Sequence, residues 1–182
     1  MEKFIVITGA PGSGKSRILH ELNQMGYTCV DEPARQILSE QRKIEGDGIP
    51  ERSPRLFTDL LLSRATFQYK QMLTHQGPVF FDRGIPDNVA YATLFDIDEK
   101  TLWNAGREYL YNKRVFFTPS WEEIYEMDDE RKMSFDEASQ FGDYFKRVYT
   151  ELAYDLIEVP REDPKTRAEF IAKTYLASAG DL

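Results

Sequence analysis

Residues 9–16 read GAPGSGKS and directly follow the apolar run at residues 4–7. A short, continuous apolar run is typical of a strand that is buried on both faces of a sheet. Ile18 and Leu22 follow the quoted stretch at helical spacing, and Gly26 stands where a glycine commonly ends a helix. The sequence therefore predicts a strand, a glycine-rich loop and a helix, in that order.

The stretch matches Gly-x-x-x-x-Gly-Lys-Ser, the P-loop motif, in the strand-to-helix setting that this motif requires. Glycine permits positive φ and close approach, so that main-chain amides can surround a phosphate. Lys15 then neutralises phosphate oxygens, Ser16 offers its hydroxyl to Mg²⁺, and the helix N-terminus adds partial positive charge. A glycine turn without a ligand would explain Gly9 or Gly14 but not Lys15 and Ser16. The predicted nucleotide-binding residues are Gly9, Ala10, Pro11, Gly12, Ser13, Gly14, Lys15, Ser16 and Arg17.

The composition favours one compact domain with a small-molecule partner. The chain has 182 residues, 41% of them apolar, and a formal net charge of −8. Binding of nucleic acid calls for a broad basic face, so it is disfavoured, although Arg52, Arg55 and Arg64 leave a polynucleotide-end kinase open. No run approaches the roughly 18 apolar residues that span a bilayer, and the lone Cys29 cannot form an internal disulfide. We expect no membrane association and a cytoplasmic protein.

Short β-branched and aromatic runs alternate with segments of helical period along the chain. Strands are predicted over residues 4–8, 28–31, 79–82, 114–118 and 156–159. Ser134 and Glu137 form a capping box, and Asp163 precedes Pro164 as an N-cap before a proline in the first helical turn. The pattern predicts an α/β fold, one domain over residues 1–182, with a parallel sheet covered by helices on both faces.

An acidic residue ends the third predicted strand, VFFD at residues 79–82. Ligands of doubly wound sheets gather at the carboxyl ends of the strands. Asp82 is therefore predicted to hold Mg²⁺, directly or through water, together with Ser16. A solvated aspartate at a strand end is the alternative.

These segments resemble known kinase families. Residues 82–91, DRGIPDNVAY, resemble the DR…AY segment of thymidylate kinases. The EP at residues 32–33 resembles the EP of deoxynucleoside kinases, and EPAR at 32–35 is similar to the E-x-x-R of the ribosylnicotinamide kinase domain. Taken whole, the chain resembles a family of small ATPases or kinases with a single AAA-type domain, through GAPGSGKS, VDEPAR, FFDRGIPDNVAY, FFTPSWEEIY, DDERKMSFDEA and IEVP.

The resemblance to nucleoside and nucleotide kinases implies strand order 2-3-1-4-5, which places Asp82 opposite Ser16 across one Mg²⁺. In deoxynucleoside kinases the glutamate of EP acts as a base toward an acceptor hydroxyl, and the matching residue here is Glu32. A carboxylate at a strand end can accept that proton. Asp31 competes for the role, but strand alternation sends its side chain to the other face. Glu32 could instead cap the next helix or pair with Arg35.

Two arginines are predicted to neutralise negative charge on the transferred phosphoryl group. Arg83 would lie beside it, since a guanidinium matches charge spread over several oxygens; a surface ion pair is the alternative. Kinases of this fold also close an arginine-bearing lid that excludes water. The candidate lid covers residues 120–135, with Arg131 as its arginine and Lys132 second, unless this charge run is merely solvated. Nucleoside kinases carry several arginines in this motif, and the sequence departs from that pattern.

The sequence thus predicts an ATP- and Mg²⁺-dependent phosphotransferase that acts on a small nucleoside, nucleotide or vitamin-like acceptor. ATP is preferred over GTP because no guanine-reading Asn-Lys-x-Asp motif ends a predicted strand. Asp87, Asn88 and Tyr91 follow Arg83 and could line the acceptor pocket, with a packing role as the alternative. A regulatory ATPase or nucleotide switch that acts through a protein partner, or a binding module without catalysis, stays open.

Overall fold

The computed structural model describes residues 2–126 and 133–179. Its five strands are β1 (Phe4–Gly9), β2 (Thr28–Val30), β3 (Val79–Asp82), β4 (Arg114–Thr118) and β5 (Asp155–Glu158). Its α-helices are α1 (Lys15–Gln24), α2 (Pro33–Lys43), α3 (Pro54–Gln71), α4 (Asp87–Leu94), α5 (Lys100–Glu108), α6 (Phe135–Glu151) and α7 (Pro164–Ala179). Short 3₁₀ turns cover Met72–Thr74 and Glu122–Ile124.

The strands form one parallel sheet in the order β2-β3-β1-β4-β5, which confirms the order that the resemblance implied. Strands β3 and β4 have their predicted bounds. Strand β2 stops one residue short, at Val30, because the chain then turns into Pro33 at the start of α2. Strand β1 lies in the centre, so its carboxyl end borders those of β3 and β4. The connection from β1 leads toward one edge of the sheet and the connection from β3 leads toward the other edge, and α/β folds place their ligands at such a change in winding.

Alternate residues of β1 enter separate apolar layers on the two faces of the sheet. Ile5 and Ile7 pack among residues of α1 and α7. Phe4 and Val6 pack on the opposite face, in a cluster that includes residues of α3 and α6. All four side chains are fully buried. Helices therefore cover both faces, as predicted, and the core fixes the position from which the P-loop starts.

Side-chain caps begin three of the helices. Ser134 and Glu137 form the predicted capping box at the start of α6. The Asp163 carboxylate accepts hydrogen bonds from the amides of Lys165 and Thr166 in α7, which confirms the predicted N-cap. Ser53 accepts a hydrogen bond from the first turn of α3. Each cap satisfies amides that have no partner within their own helix.

The candidate lid lies only partly within the described residues. The Glu122–Ile124 turn and the start of α6 belong to it, whereas its predicted arginine and lysine, Arg131 and Lys132, lie outside the described residues. Among the helices within 2–126 and 133–179, none combines the length and the apolar character required to cross a membrane.

Candidate active site

The loop between β1 and α1 turns through three glycines with positive φ. Gly9, Gly12 and Gly14 have φ values of 133°, 74° and 84°. A Cβ on Gly9 would lie 2.1 Å from the carbonyl oxygen of Thr118. Only glycine therefore allows the end of β1 to run this close to β4, and the loop starts from a fixed point.

Lys15 folds back over this loop and is 6% exposed. Its Nζ donates hydrogen bonds to the carbonyl oxygens of Ala10, at 2.9 Å, and Gly9, at 3.3 Å. Burial, helped by the nearby charge of Arg83, lowers the pKa of Lys15 to about 7. A buried ammonium group of this kind gains from an added anion, and phosphate oxygens would supply one.

Asp82 ends β3 beside the P-loop and is 7% exposed. Its Oδ1 is buried and has no hydrogen-bond partner among the described residues. Burial raises the pKa of Asp82 to about 6, against the opposing charge of Lys15. Asp82 and Ser16 line the same cavity. Among the described residues, no group of three or more His, Cys, Asp or Glu side chains is placed to hold a metal ion.

These donors fit Mg²⁺, which proteins commonly hold through one or two carboxylates plus phosphate oxygens and water. The orphaned Oδ1 of Asp82 supplies a carboxylate oxygen, and Ser16 supplies a hydroxyl from the start of α1. An all-protein cage is not required for a cation that arrives with a nucleotide.

Glu32 and Arg83 form a buried ion pair between α2 and the end of β3. Arg83 Nε lies 2.8 Å from Glu32 Oε1, a close charge contact that lacks the direction of a hydrogen bond. The Tyr91 hydroxyl donates a hydrogen bond to the same oxygen at 2.8 Å. Burial by itself would raise the pKa of Glu32. The positive charges of Arg83 and Lys15 act in the opposite direction and are stronger, so the net effect is a lowered pKa. Glu32 is thus an ionised carboxylate, and Arg83 pairs inside the protein rather than on its surface.

Asp87 holds Arg83 from the opposite side. Arg83 has a positive φ of 67°, and its Nη1 donates to Asp87 Oδ1 at 3.1 Å. Four donors from three parts of the chain converge on this carboxylate: Thr8, Arg83, Gly84 and Tyr149. Asp87 is 2% exposed. We refer to Glu32, Arg83 and Asp87 as the carboxylate–arginine cluster.

One cavity of about 530 Å³ connects the P-loop with the helices above the sheet. Its P-loop end is lined by Pro11, Gly12, Gly14, Lys15, Ser16 and Arg17. Its other end has an aromatic wall of Phe57, Tyr91, Phe95 and Phe141. Tyr91 packs edge-to-face against Phe141 and stacks on Phe95, while its hydroxyl binds Glu32. The cavity therefore joins a polar end at the P-loop to an apolar end through Glu32 and Tyr91.

Of the three residues predicted to line an acceptor pocket, Tyr91 lines this large cavity. Asp87 and Asn88 are buried and line a smaller cavity that shares Arg83 and Tyr91 with it, and their role toward an acceptor remains a prediction. In the first turn of α4, Asn88 donates to the carbonyl of Ile85 and Asp87 turns inward toward Arg83. Arg83 precedes α4 and has a left-handed backbone conformation, so helical spacing does not indicate this contact.

A family model described as AAA domain matches residues 4–167. The chain belongs to this AAA-domain family. The match confirms the family that the sequence motifs indicated, and it includes the P-loop and the whole carboxylate–arginine cluster. A comparison of this AAA-domain chain with curated proteins finds no match.

Solved structures share the fold of this AAA-domain chain along almost its full length. Deoxyadenosine kinase from M. mycoides is 19% identical, with a TM-score of 0.68 over 96% of this chain and 99% of that one. Thymidylate kinase from Candida albicans is 17% identical, with a TM-score of 0.69 over 97% and 92%. Shikimate kinase from Acinetobacter baumannii is 17% identical, with a TM-score of 0.57 over 97% and 94%. The fold is therefore that of small P-loop kinases, in agreement with the predicted α/β fold class.

Proposed function

We propose that this protein transfers the γ-phosphoryl group of ATP to a hydroxyl of a small molecule. The observation that carries the proposal is the position of Glu32. An ionised, largely buried carboxylate lies in the same cavity as the P-loop lysine and contacts both Arg83 and the aromatic wall. A protein that only bound or hydrolysed a nucleotide would not need an apolar chamber beyond this carboxylate.

The P-loop end supports binding of the nucleotide phosphates. Lys15 and the loop amides would bind the β- and γ-phosphates, and the charge of Lys15 would be restored by them. A bound Mg²⁺, held by Ser16 and Asp82, would neutralise charge on the phosphate oxygens. Arg83 lines the cavity, and its Nη2 takes part in none of the hydrogen bonds or ion pairs that Arg83 makes with described residues. This NH₂ group is the candidate donor to the transferred phosphoryl group.

Glu32 supports transfer to a hydroxyl. As the acceptor oxygen forms its bond to the γ-phosphorus, the bond to the bridging oxygen breaks and ADP leaves with the electron pair. The hydroxyl proton passes to Glu32, whose lowered pKa keeps it ionised and ready to orient the acceptor. A weak base is sufficient because phosphoryl transfer relies mainly on positioning and charge neutralisation.

The aromatic wall supports an acceptor with a flat ring, such as a nucleoside or nucleotide. Tyr91 and Phe95 are partly exposed, and the buried Phe57 and Phe141 pack against Tyr91. A ring would cover this apolar surface, whereas a small polar acid would leave it facing water. Arg35 and Glu51 line the same cavity and contribute polar groups to it. The net charge of −8 agrees with a small acceptor rather than a polymer.

ADP release and phosphorylated product, followed together, test the proposal. We expect release to be stimulated by nucleosides or nucleotides and the phosphate to appear on the acceptor by mass spectrometry. Glu32→Gln should lower transfer by about 10²-fold, since it removes the base. Glu40→Gln, on the exposed end of the same helix, is the matched control. ADP release that no acceptor stimulates would contradict the proposal and favour a nucleotide switch.

A further inference from the structure

Arg167 is a buried cation that the proposed reaction leaves unexplained. It lies on α7 and is 1% exposed. Its Nη1 donates a hydrogen bond of 2.8 Å to the carbonyl oxygen of Ser13, in the P-loop. Its Nε is buried and has no hydrogen-bond partner among the described residues. The ring of Trp121 lies 5.8 Å from the guanidinium.

No carboxylate in residues 2–126 or 133–179 forms an ion pair with Arg167. Burial alone lowers its pKa, to about 10. A buried charge without a partner is costly, because the interior replaces little of the hydration that the charge loses. Either the fold tolerates this cost without benefit, or an anion that binds to the protein balances the charge.

The contact with Ser13 also sets the direction of a P-loop amide. The chain contains no cis peptide bond in its described part, so the carbonyl of Ser13 and the amide of Gly14 point in opposite directions. Arg167 holds that carbonyl on the outer side of the loop. The Gly14 amide is therefore turned to the inner side, where Lys15 lies and where phosphates would bind.

Arg167 also lies close to the main chain of Gly14. A Cβ on Gly14 would lie 3.0 Å from Arg167 Nη1, so the guanidinium is packed against the P-loop itself. At this range a buried charge acts strongly on a phosphate, since little water screens it.

We propose that Arg167 is a phosphate-positioning residue, which orients the Ser13–Gly14 peptide and whose unbalanced charge is compensated by a bound polyphosphate. This inference rests on the proposed function only in that the P-loop binds nucleotide phosphates. It assigns to α7 a role that the P-loop motif itself does not contain.

Calorimetric titration with MgADP, together with unfolding temperatures, tests this role in three variants. Arg167→Met removes the charge and the donor, and we expect MgADP to bind about tenfold more weakly or worse. Arg167→Lys keeps a charge and a donor, so its affinity should stay within about threefold of the unchanged protein. Arg114→Met is the matched control, because Arg114 is exposed at the amino end of β4, and it should not change the affinity.

The unfolding temperature separates positioning from a purely structural role. We expect MgADP to raise the unfolding temperature of Arg167→Met less than that of the unchanged protein. A variant that is destabilised without ligand but binds MgADP normally would overturn the inference. If Arg167→Met does not fold, Arg167→Lys decides, and a tenfold loss there would also overturn it. Failure of the unchanged protein to bind MgADP would instead reject the proposed function.

Discussion

The P-loop and the carboxylate–arginine cluster lie in one cavity but are assembled in opposite ways. The P-loop is a single stretch, and Lys15 and Ser13 both bond to the Ala10 carbonyl a few residues away. The cluster joins Glu32, Arg83 and Asp87 from three elements, and Glu32 receives its Tyr91 hydrogen bond across 59 positions. A local motif can form wherever a strand precedes a helix, whereas the cluster exists only once α2, α4 and the sheet have packed.

Because the two regions are assembled differently, we expect substitutions in the P-loop and substitutions in the carboxylate–arginine cluster to have different effects. Changes in the P-loop should remove nucleotide binding and transfer together. Changes in the cluster should reduce transfer while leaving nucleotide binding nearly intact, because none of the cluster's carboxylates belongs to the P-loop. Binding and turnover measured on the same variants therefore test whether the two regions act separately.

Lys15→Ala should have the largest effect. It removes the ammonium group that would face the β- and γ-phosphates, and we expect turnover to fall by about 10²-fold or more. Acceptor-dependent ADP release, beside MgADP calorimetry, measures both functions. Lys173→Ala, an exposed lysine of α7, is the control. Full activity in Lys15→Ala would contradict the assignment of the P-loop.

Asp87→Asn should have the second-largest effect on activity. The amide cannot balance the charge of Arg83, so the guanidinium loses its anchor and we expect transfer to fall about tenfold or more, with MgADP affinity nearly unchanged. Breaking a buried ion pair also destabilises the fold, by about 3 kcal/mol in urea unfolding. Tyr149→Phe removes one of the four donors and should cost about 1 kcal/mol. Equal losses in MgADP affinity and in transfer would show that the two regions are not separable.

Tyr91→Phe should have a smaller effect on the cluster. The Tyr91 hydrogen bond helps to lower the pKa of Glu32, so its loss should raise that pKa. We expect the acid limb of the pH–rate profile to move to higher pH and kcat to fall by about threefold. Tyr109→Phe, in the apolar layer near Tyr69, is the control. An unmoved acid limb would mean that Glu32 is not the group that titrates in the reaction.

The smallest expected effect is proton uptake on nucleotide binding. Burial lowers the pKa of Lys15 to about 7 in the protein without ligand, so the neutral amine becomes more populated as pH rises above 7. Phosphates favour the charged form and raise this pKa, so binding should take up a proton and affinity should weaken as pH rises above 7. Calorimetry in buffers of different ionisation enthalpy measures the uptake, which should approach one proton at pH 8 and shrink at pH 6.5. Proton release at pH 8 would contradict this account of Lys15.

Much of the secondary structure and of the P-loop conformation could be predicted from the sequence. The bounds of β3 and β4, the caps at Ser134 and Asp163 and the positive φ of the loop glycines follow from patterns within a few residues. The order of the strands came from resemblance rather than from pattern, because the period of a strand carries no information about its neighbours. The prediction for Arg131 and Lys132 remains a prediction, since both lie outside the described residues.

The sequence by itself determined the P-loop, the alternation of strands with helices and the candidate metal ligands Ser16 and Asp82, because residues close in the chain create each of these patterns. Tertiary structure decided which charges meet. It placed Glu32 on Arg83, turned Asp87 inward and brought Arg167 to Ser13 from 154 positions away. Such pairings depend on the packing of separate helices on one sheet, and no local period of the sequence records that packing.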